Sequence, residues 1–381
     1  MKKKIIALSI ASALTTPALV LADTANVNVY GLADLSLDMV KTGDGSAGTA
    51  ATKGTTQRRV SSNVSRLGFK GSEALSSGLS AIWQMEATVA MDTGTAGAAG
   101  TNNATTNVTS AAQIFDRNTF IGVEGGFGRV VLGKHDTPYK IATRKLDVFA
   151  DSIADNRSLM GGVSGKSASI GFDGRPSDVL AYISPTLVGI TGAIALVNIT
   201  EQNTLMNNQA KKTATSLAIM FGQGPIYAAL GYETHNLVPT VGASTSEKAV
   251  KLGFGFTKDS FSVGAVVEKT SDDFNAGASN QLGHTAMTVN GKFNITANDA
   301  VKAAVAMAGK LGSPAGANTS AKQASVGYDH NMSKRTTVYA ILTKLSNDNS
   351  VNYGLYGGGG GYNTNAGASP MALSLGVKHT F

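Results

Sequence analysis

The chain has 381 residues, a formal net charge of +7, only 15% charged residues and 45 glycines. It holds no cysteine, which excludes thiol catalysis, disulfide frameworks and cysteine metal centres together. The charge excess is too small to argue for nucleic acid, and no apolar run after the N-terminus is long enough for a membrane helix.

Residues 1–22 read as a secretory signal peptide. Lys2, Lys3 and Lys4 form its positive region, Ile5 to Leu21 its apolar stretch, and Val20-Leu21-Ala22 its cleavage site. The remaining domain, 23–381, carries +4, the +7 of the whole chain less those three lysines.

Residues 26–40, NVNVYGLADLSLDMV, set the pattern of the domain. Val27, Val29, Leu35, Leu37 and Met39 alternate with Asn28, Tyr30, Asp34, Ser36 and Asp38, so one face is apolar and the other polar. Residues 79–92 repeat it: Leu79, Trp83, Met85, Val89 and Met91 face one way, and Gln84, Glu86 and Thr88 the other. Both runs exceed the usual soluble strand of about 5–6 residues and suit a membrane-crossing strand of about 9–11.

Further strands are expected near 57–70, 113–124, 128–136, 178–184, 188–200, 212–222, 225–236, 247–257, 260–270, 284–295, 299–310, 321–330, 335–346 and 370–381. With the first two they make about sixteen, an even number that lets an antiparallel sheet close on itself. The connections alternate. Short ones such as Gln223-Gly224 and Lys258-Asp259 interleave with long ones near 41–56, 92–112, 137–165 and 347–369. Phe127, Phe256, Phe261 and Phe293 stand beside short turns, where one aromatic girdle would lie. A soluble sandwich would bury its apolar face under large aromatic side chains, yet aromatics are only 6%. The expected fold is therefore all-β, a transmembrane antiparallel β-barrel, closed because a sheet in lipid can leave no unpaired edge.

One stretch breaks the rhythm. Residues 133–162, GKHDTPYKIATRKLDVFADSIADNRSLMGG, carry Pro138 and a dense set of acids and bases. A helical turn through Ile141 to Ala150 would place Asp147 and Asp151 on one face, since residues four apart are helix neighbours. A loop of this length is either functional or a solvated surface loop.

VYGLADLSLD, SRLGFKGSEALSSGLSAIWQME at 65–86, DRNTFIGVEGGFGRVVLGKHDTPY at 116–139 and the terminal LSLGVKHTF resemble the Gram-negative general diffusion porins, most of all their β-proteobacterial branch. The resemblance implies a homotrimer of barrels in the cell outer membrane, set among lipid and lipopolysaccharide and passing small hydrophilic solutes and ions, without a cofactor. It implies that the third long loop folds into the pore and faces arginines on the wall. Arg66 and Arg117 stand at two family arginine positions, and Arg157 is a looser third. Asp147 and Asp151 keep the spacing of the family's loop carboxylates, although the usual Pro-Glu-Phe-Gly-Gly run is replaced by Ala150-Asp151-Ser152-Ile153. Leu32 stands where the family has a basic residue. Asp34, Asp38 and Glu86 are expected to face the lumen by parity. Phe381 is expected to be read by the outer-membrane assembly machinery.

Other readings take up less of the chain. A substrate-specific channel would show binding-site saturation. A barrel enzyme would need a catalytic His near one rim, but His135, His235, His284, His330 and His379 are scattered and form no metal motif.

Overall fold

The computed structural model describes residues 26–94, 114–161, 172–198, 209–239, 245–273, 282–312, 318–356, 362 and 364–381. The signal-peptide expectation and parts of several long connections lie outside them. The strands are β1 (Asn26–Lys41), β2 (Thr56–Ser62), β3 (Arg66–Ala74), β4 (Ser80–Thr88), β5 (Thr119–Gly125), β6 (Gly128–Lys134), β7 (Val179–Ile183), β8 (Ile190–Asn198), β9 (Gln209–Gln223), β10 (Ile226–Pro239), β11 (Thr245–Lys258), β12 (Phe261–Asp272), β13 (Thr285–Asn294), β14 (Asp299–Ala308), β15 (Ala321–Asn331), β16 (Thr336–Asn347) and β17 (Met371–Thr380). Each pairs antiparallel with a neighbour, and β17 pairs with β1 from Leu32↔Thr380 to Lys41↔Met371, so the sheet closes. Gly31 N also donates to Phe381 O at 2.9 Å, and Phe381 N to Gly31 O at 3.2 Å.

β2 and β3 are one wall strand broken in the middle, because both pair with β1 on successive stretches. The seventeen strands therefore make sixteen staves. The alternation in the sequence predicts one strand over 57–70, and the break has a local cause. Val64 has φ 60°, and side chains replace the missing ladder bonds. Asn63 donates to Ser36 Oγ at 2.8 Å and to Tyr339 OH at 3.0 Å, and Asp34 N donates to Ser65 Oγ at 2.9 Å. β5 starts later than the alternation suggests. Ahead of it, Asp116 Oδ1 accepts from Thr88 N at 2.7 Å, so the approach is fixed by a side chain.

The faces follow parity. Val29, Leu37, Ile121, Val289 and Val305 point outward and are exposed, while Asp34, Ser36, Asp38, Glu233, Glu268 and Ser374 point inward and are buried. Lipid covers the first set in a membrane, so an apolar outer face needs no partner sheet. Phe127, Phe261 and Phe293 are exposed at the short-turn rim, and the Phe256 and Phe261 rings are 5.7 Å apart. Leu35→Arg, near the middle of the outward face of β1, should cost about 2–4 kcal/mol. A lowered urea midpoint in a refolding titration checks it, and an unchanged midpoint would mean this face does not meet lipid.

The described parts of the 135–178 connection, 135–161 and 172–178, do not stay at the rim. Its helix α1 (Pro138–Arg144) packs against β8 to β11. Leu146 stands over inward-facing glycines: a Cβ on Gly253 or Gly255 would come within 2.6 Å of its side chain. Phe149 lies over Gly327 of β15. Phe149, Ile153 and Leu159 share a buried apolar cluster with Val40, Ala306, Ile341, Leu345 and Tyr353. The loop thus lies against the inner face of the wall on two sides of the barrel.

Candidate functional site

α1 begins where sequence chemistry starts it. Thr137 caps the helix, accepting from Lys140 N at 3.3 Å, and Pro138 occupies the first turn, where its missing N–H costs nothing. The helix ends at Arg144, short of the stretch expected to run through Ala150. Asp151 has φ 64°, in the left-handed region, so no right-handed helix passes through it. Asp147 and Asp151 therefore do not share a helix face.

Three sets of contacts hold the loop to the wall. Tyr139 OH donates to Glu268 Oε2 at 2.7 Å, and Gly161 N donates to Glu268 Oε1 at 2.8 Å. Tyr227 OH donates to Ala142 O at 2.6 Å. On the return arm, Asp173 pairs with Lys251 and the Phe172 ring stacks on His235 at 4.7 Å. His235 is itself clamped between Glu233 Oε1 at 2.8 Å and Glu247 Oε1 at 2.7 Å.

Inside the loop, Arg144 and Arg157 engage its acids. Arg144 reaches Asp151 Oδ1 at 2.7 Å and Asp155 Oδ2 at 2.5 Å, and Arg157 reaches the same two oxygens at 2.9 Å each. Arg157 belongs to the loop and also lies 4.3 Å from the Tyr356 ring centroid, so it is not a wall residue. Asp147 turns inward, where its two carboxylate oxygens accept from Phe149 N at 2.9 Å and Asn156 N at 3.0 Å. It is a structural acid of the loop, 6% exposed. Asp151 is the more accessible carboxylate, with 31% of its side chain exposed.

The protonation of this network has a sign. Burial, and next the Asp155 carboxylate, pushes the Asp147 carboxyl up to about 6 from 3.8. Burial raises Asp155 too, but the Arg157 and Arg144 guanidiniums outweigh it and hold that carboxyl below the usual range. A docked loop therefore favours a proton on Asp147, and docking weakens as pH rises through 6. Asp155 acts oppositely, its contribution being lost as pH falls below its unfolded value. Docking should be tightest near about pH 4, where Asp155 is still ionised and Asp147 still costs little. Single-channel current noise should pass through a minimum there, and Asp147→Asn should flatten the neutral side. Noise independent of pH would contradict this assignment.

The wall carries a second cluster. Arg66 Nε lies 3.8 Å from Glu86 Oε2, Arg117 Nε pairs with Glu86 Oε1, and Tyr30 OH donates to Oε2 at 2.9 Å. Both arginines, from β3 and from just before β5, thus converge on one carboxylate of β4. Asp34 faces inward but is covered, with Tyr339 OH donating to its Oδ1 at 2.7 Å. Asp38 is buried among Ser36, Ser61 and Ser374, whose hydroxyls all donate to it. Leu32 is buried beside Arg66, its cross-strand neighbour. Three inward lysines, Lys70, Lys292 and Lys378, have no salt bridge among the described residues. Nor do the described residues hold a cluster of metal-ligating side chains.

Sequence reasoning misses the clamp on His235. Glu233 and His235 share a face two residues apart, but Glu247 meets them only through the register His235↔Glu247 of β10 and β11. That register is the signal that would have found it.

The chain is 24% identical over 399 residues to outer membrane porin protein 32 of Delftia acidovorans, covering 100% of each. It is 33% identical over 177 residues to the major outer membrane protein P.IB of Neisseria sicca, covering 45% of this chain and 43% of that one. Its fold matches the solved anion-selective porin from Comamonas acidovorans with a TM-score of 0.72 at 20% identity, over 94% of this chain and 100% of that one. The Gram-negative porin family model matches residues 7–350, so this closed sixteen-stave barrel belongs to the Gram-negative porins.

Proposed function

We propose that small hydrophilic solutes and ions pass between the loop and the β1–β5 side of the wall, that the loop narrows this passage, and that anions pass more readily than cations. Family membership makes the chain a diffusion channel of the Gram-negative outer membrane. Which ions it favours follows from its own residues. The carrying observation is that the loop acids turn to Arg144 and Arg157, while Lys70, Lys292 and Lys378 stand on the inner wall without a salt bridge among the described residues. Fixed charge in a narrow wet pore sets ion preference, so an excess of free cations draws anions. The porin from Comamonas acidovorans is described as anion-selective; here the reading rests on the lysines. Reversal potential across a potassium chloride gradient tests it, and a cation-selective sign would refute it.

Phe381 supports a second part of the reading. Its backbone extends the β17 ladder onto Gly31, and its ring covers Gly31, where a Cβ would stand 2.2 Å from the ring. We infer that the assembly machinery recognises this strand. Phe381→Ala should lower the yield of heat-modifiable barrel in cells, and wild-type yield would remove that role. The working unit is a homotrimer, expected to insert into a bilayer in three equal conductance steps.

A further inference from the structure

The connection between β16 and β17 is the last of the long ones, and its described residues are 348–356, 362 and 364–370. Apolar and aromatic side chains turn it inward. Val351, Tyr353, Leu355 and Tyr362 are buried in one cluster with Phe149, Ile153 and Leu159 of the third long loop. An antiparallel bridge joins Leu355 to Tyr362, whose N–H donates to Leu355 O at 3.1 Å. The wall holds this segment on two sides. Asn347 Nδ2 donates to Tyr353 O at 2.9 Å and to Ala368 O at 2.7 Å, and the Arg59 guanidinium of β2 lies 3.8 Å from the Tyr362 ring centroid.

The anchored segment ends on Arg157. Tyr356 N donates to Ser158 Oγ at 2.8 Å, one residue beyond Arg157, and the Tyr356 ring lies over the Arg157 guanidinium at 4.3 Å. Neither contact uses the Tyr356 hydroxyl. Asp151 and Asp155 take hydrogen bonds from the same guanidinium. A guanidinium donates only in its own plane, so an aromatic ring can cover its face without competing for those bonds. Arg157 is thus held at its edge by its own loop and on a face by the last long connection, and 13% of its side chain is exposed.

We propose that Tyr356 is a positioning residue of the pore: by covering a face of Arg157 it keeps that charge against Asp151 and Asp155, and so sets how much positive field the third long loop presents to passing ions. Part of the selectivity then resides in the last long connection, which touches the loop and none of the wall arginines Arg66 and Arg117. The proposal rests on the pore reading above, in which ions pass beside this loop. Removing the ring uncovers a unit positive charge. Tyr356→Ala should therefore move the permeability ratio toward anions by up to about twofold, the effect of one unit charge about 8 Å from an ion in water.

Reversal potential and conductance of single channels in a planar bilayer, across a potassium chloride gradient, test it. Heat-modifiable migration shows that each variant closes its barrel, whose closing ladders do not use Tyr356. Tyr356→Phe keeps the ring and the backbone N–H, so both readings should match the wild type. Tyr356→Ala should shift the reversal potential toward the anion limit. Made on top of Arg157→Gln, the same change should leave the reversal potential where Arg157→Gln alone puts it, because the charge it uncovers is gone. A packing role alone would raise conductance and noise in Tyr356→Ala with no shift in reversal potential, and that result overturns the proposal. So does a shift of equal size with and without Arg157, or a Tyr356→Phe channel that behaves as Tyr356→Ala does. A wild type that conducts and a Tyr356→Ala channel with unchanged potential overturn the proposal alone; a wild type that passes no current overturns the pore reading and the proposal with it.

Discussion

Asp155→Ala should free the loop from the wall while leaving the barrel closed. Asp155 is fully buried and accepts from both guanidiniums, and its Oδ1 also accepts from Arg157 N at 2.8 Å. Without it, Arg144 and Arg157 face each other with Asp151 between them, and Asp147 stays 3.8 Å from Arg144 alone. Removing one partner of a buried ion cluster costs about 3–5 kcal/mol, because the charges left behind stay poorly solvated. That cost falls on the loop. The wall is held by ladders from β1 round to β17, and none of them uses Asp155. Heat-modifiable migration should persist, while single-channel conductance rises and becomes noisy. Trypsin, which finds Arg144 and Arg157 held in the ion cluster in the wild type, should cut there. Asp155→Asn with Arg144→Gln, which removes charge of both signs, should recover part of the docking, as coupled residues do in a double-mutant cycle. Wild-type conductance and protease resistance in Asp155→Ala would show that the apolar anchors alone hold the loop.

The wall was legible in the sequence and the loop was not, for a physical reason. A membrane strand has one dominant constraint, apolar toward lipid and polar or small toward water, and Val27 to Val40 or Leu79 to Met91 display it residue by residue. The ladder supplies every other backbone bond. The loop is held by contacts distant in sequence: Tyr139 to Glu268, Phe149 to Gly327, Ser158 to Tyr356. The spacing of Asp147 and Asp151 suggests a helix face, but the left-handed backbone at Asp151 leaves no mark in spacing. Arg66 and Arg117 are found through family likeness. That Glu86 joins them depends on the β3–β4 register, in which Gly68 faces Glu86 and Arg66 lies diagonally from it. Family likeness also suggests Arg157 as a third wall arginine; its place beside Asp155, two residues away, puts it in the loop's own ion cluster.

Replacing Arg66 and Arg117 together by glutamine should move selectivity toward cations. The two guanidiniums now flank one carboxylate, so the patch carries a net charge of +1. The double variant leaves Glu86 alone, held by Tyr30, and the patch becomes −1. A unit charge about 8 Å from a permeating ion in water is worth about 0.5 kcal/mol. Losing two positive charges should therefore change the anion-to-cation permeability ratio by at least about fivefold. Glu86→Gln should act in the opposite direction and about half as strongly, since it removes one negative charge. Both shifts should shrink with salt, because the Debye length falls from about 30 Å at 0.01 M to about 3 Å at 1 M. With Arg66 28% and Arg117 12% exposed, Arg66 should carry the larger share in single variants. The measurement is reversal potential in potassium chloride gradients at both ends of that range. Opposite shifts in the two variants place the patch on the ion path. Unchanged potentials in both would put the path elsewhere along the loop, and the lysines of β13 and β17 would then set selectivity without the arginines.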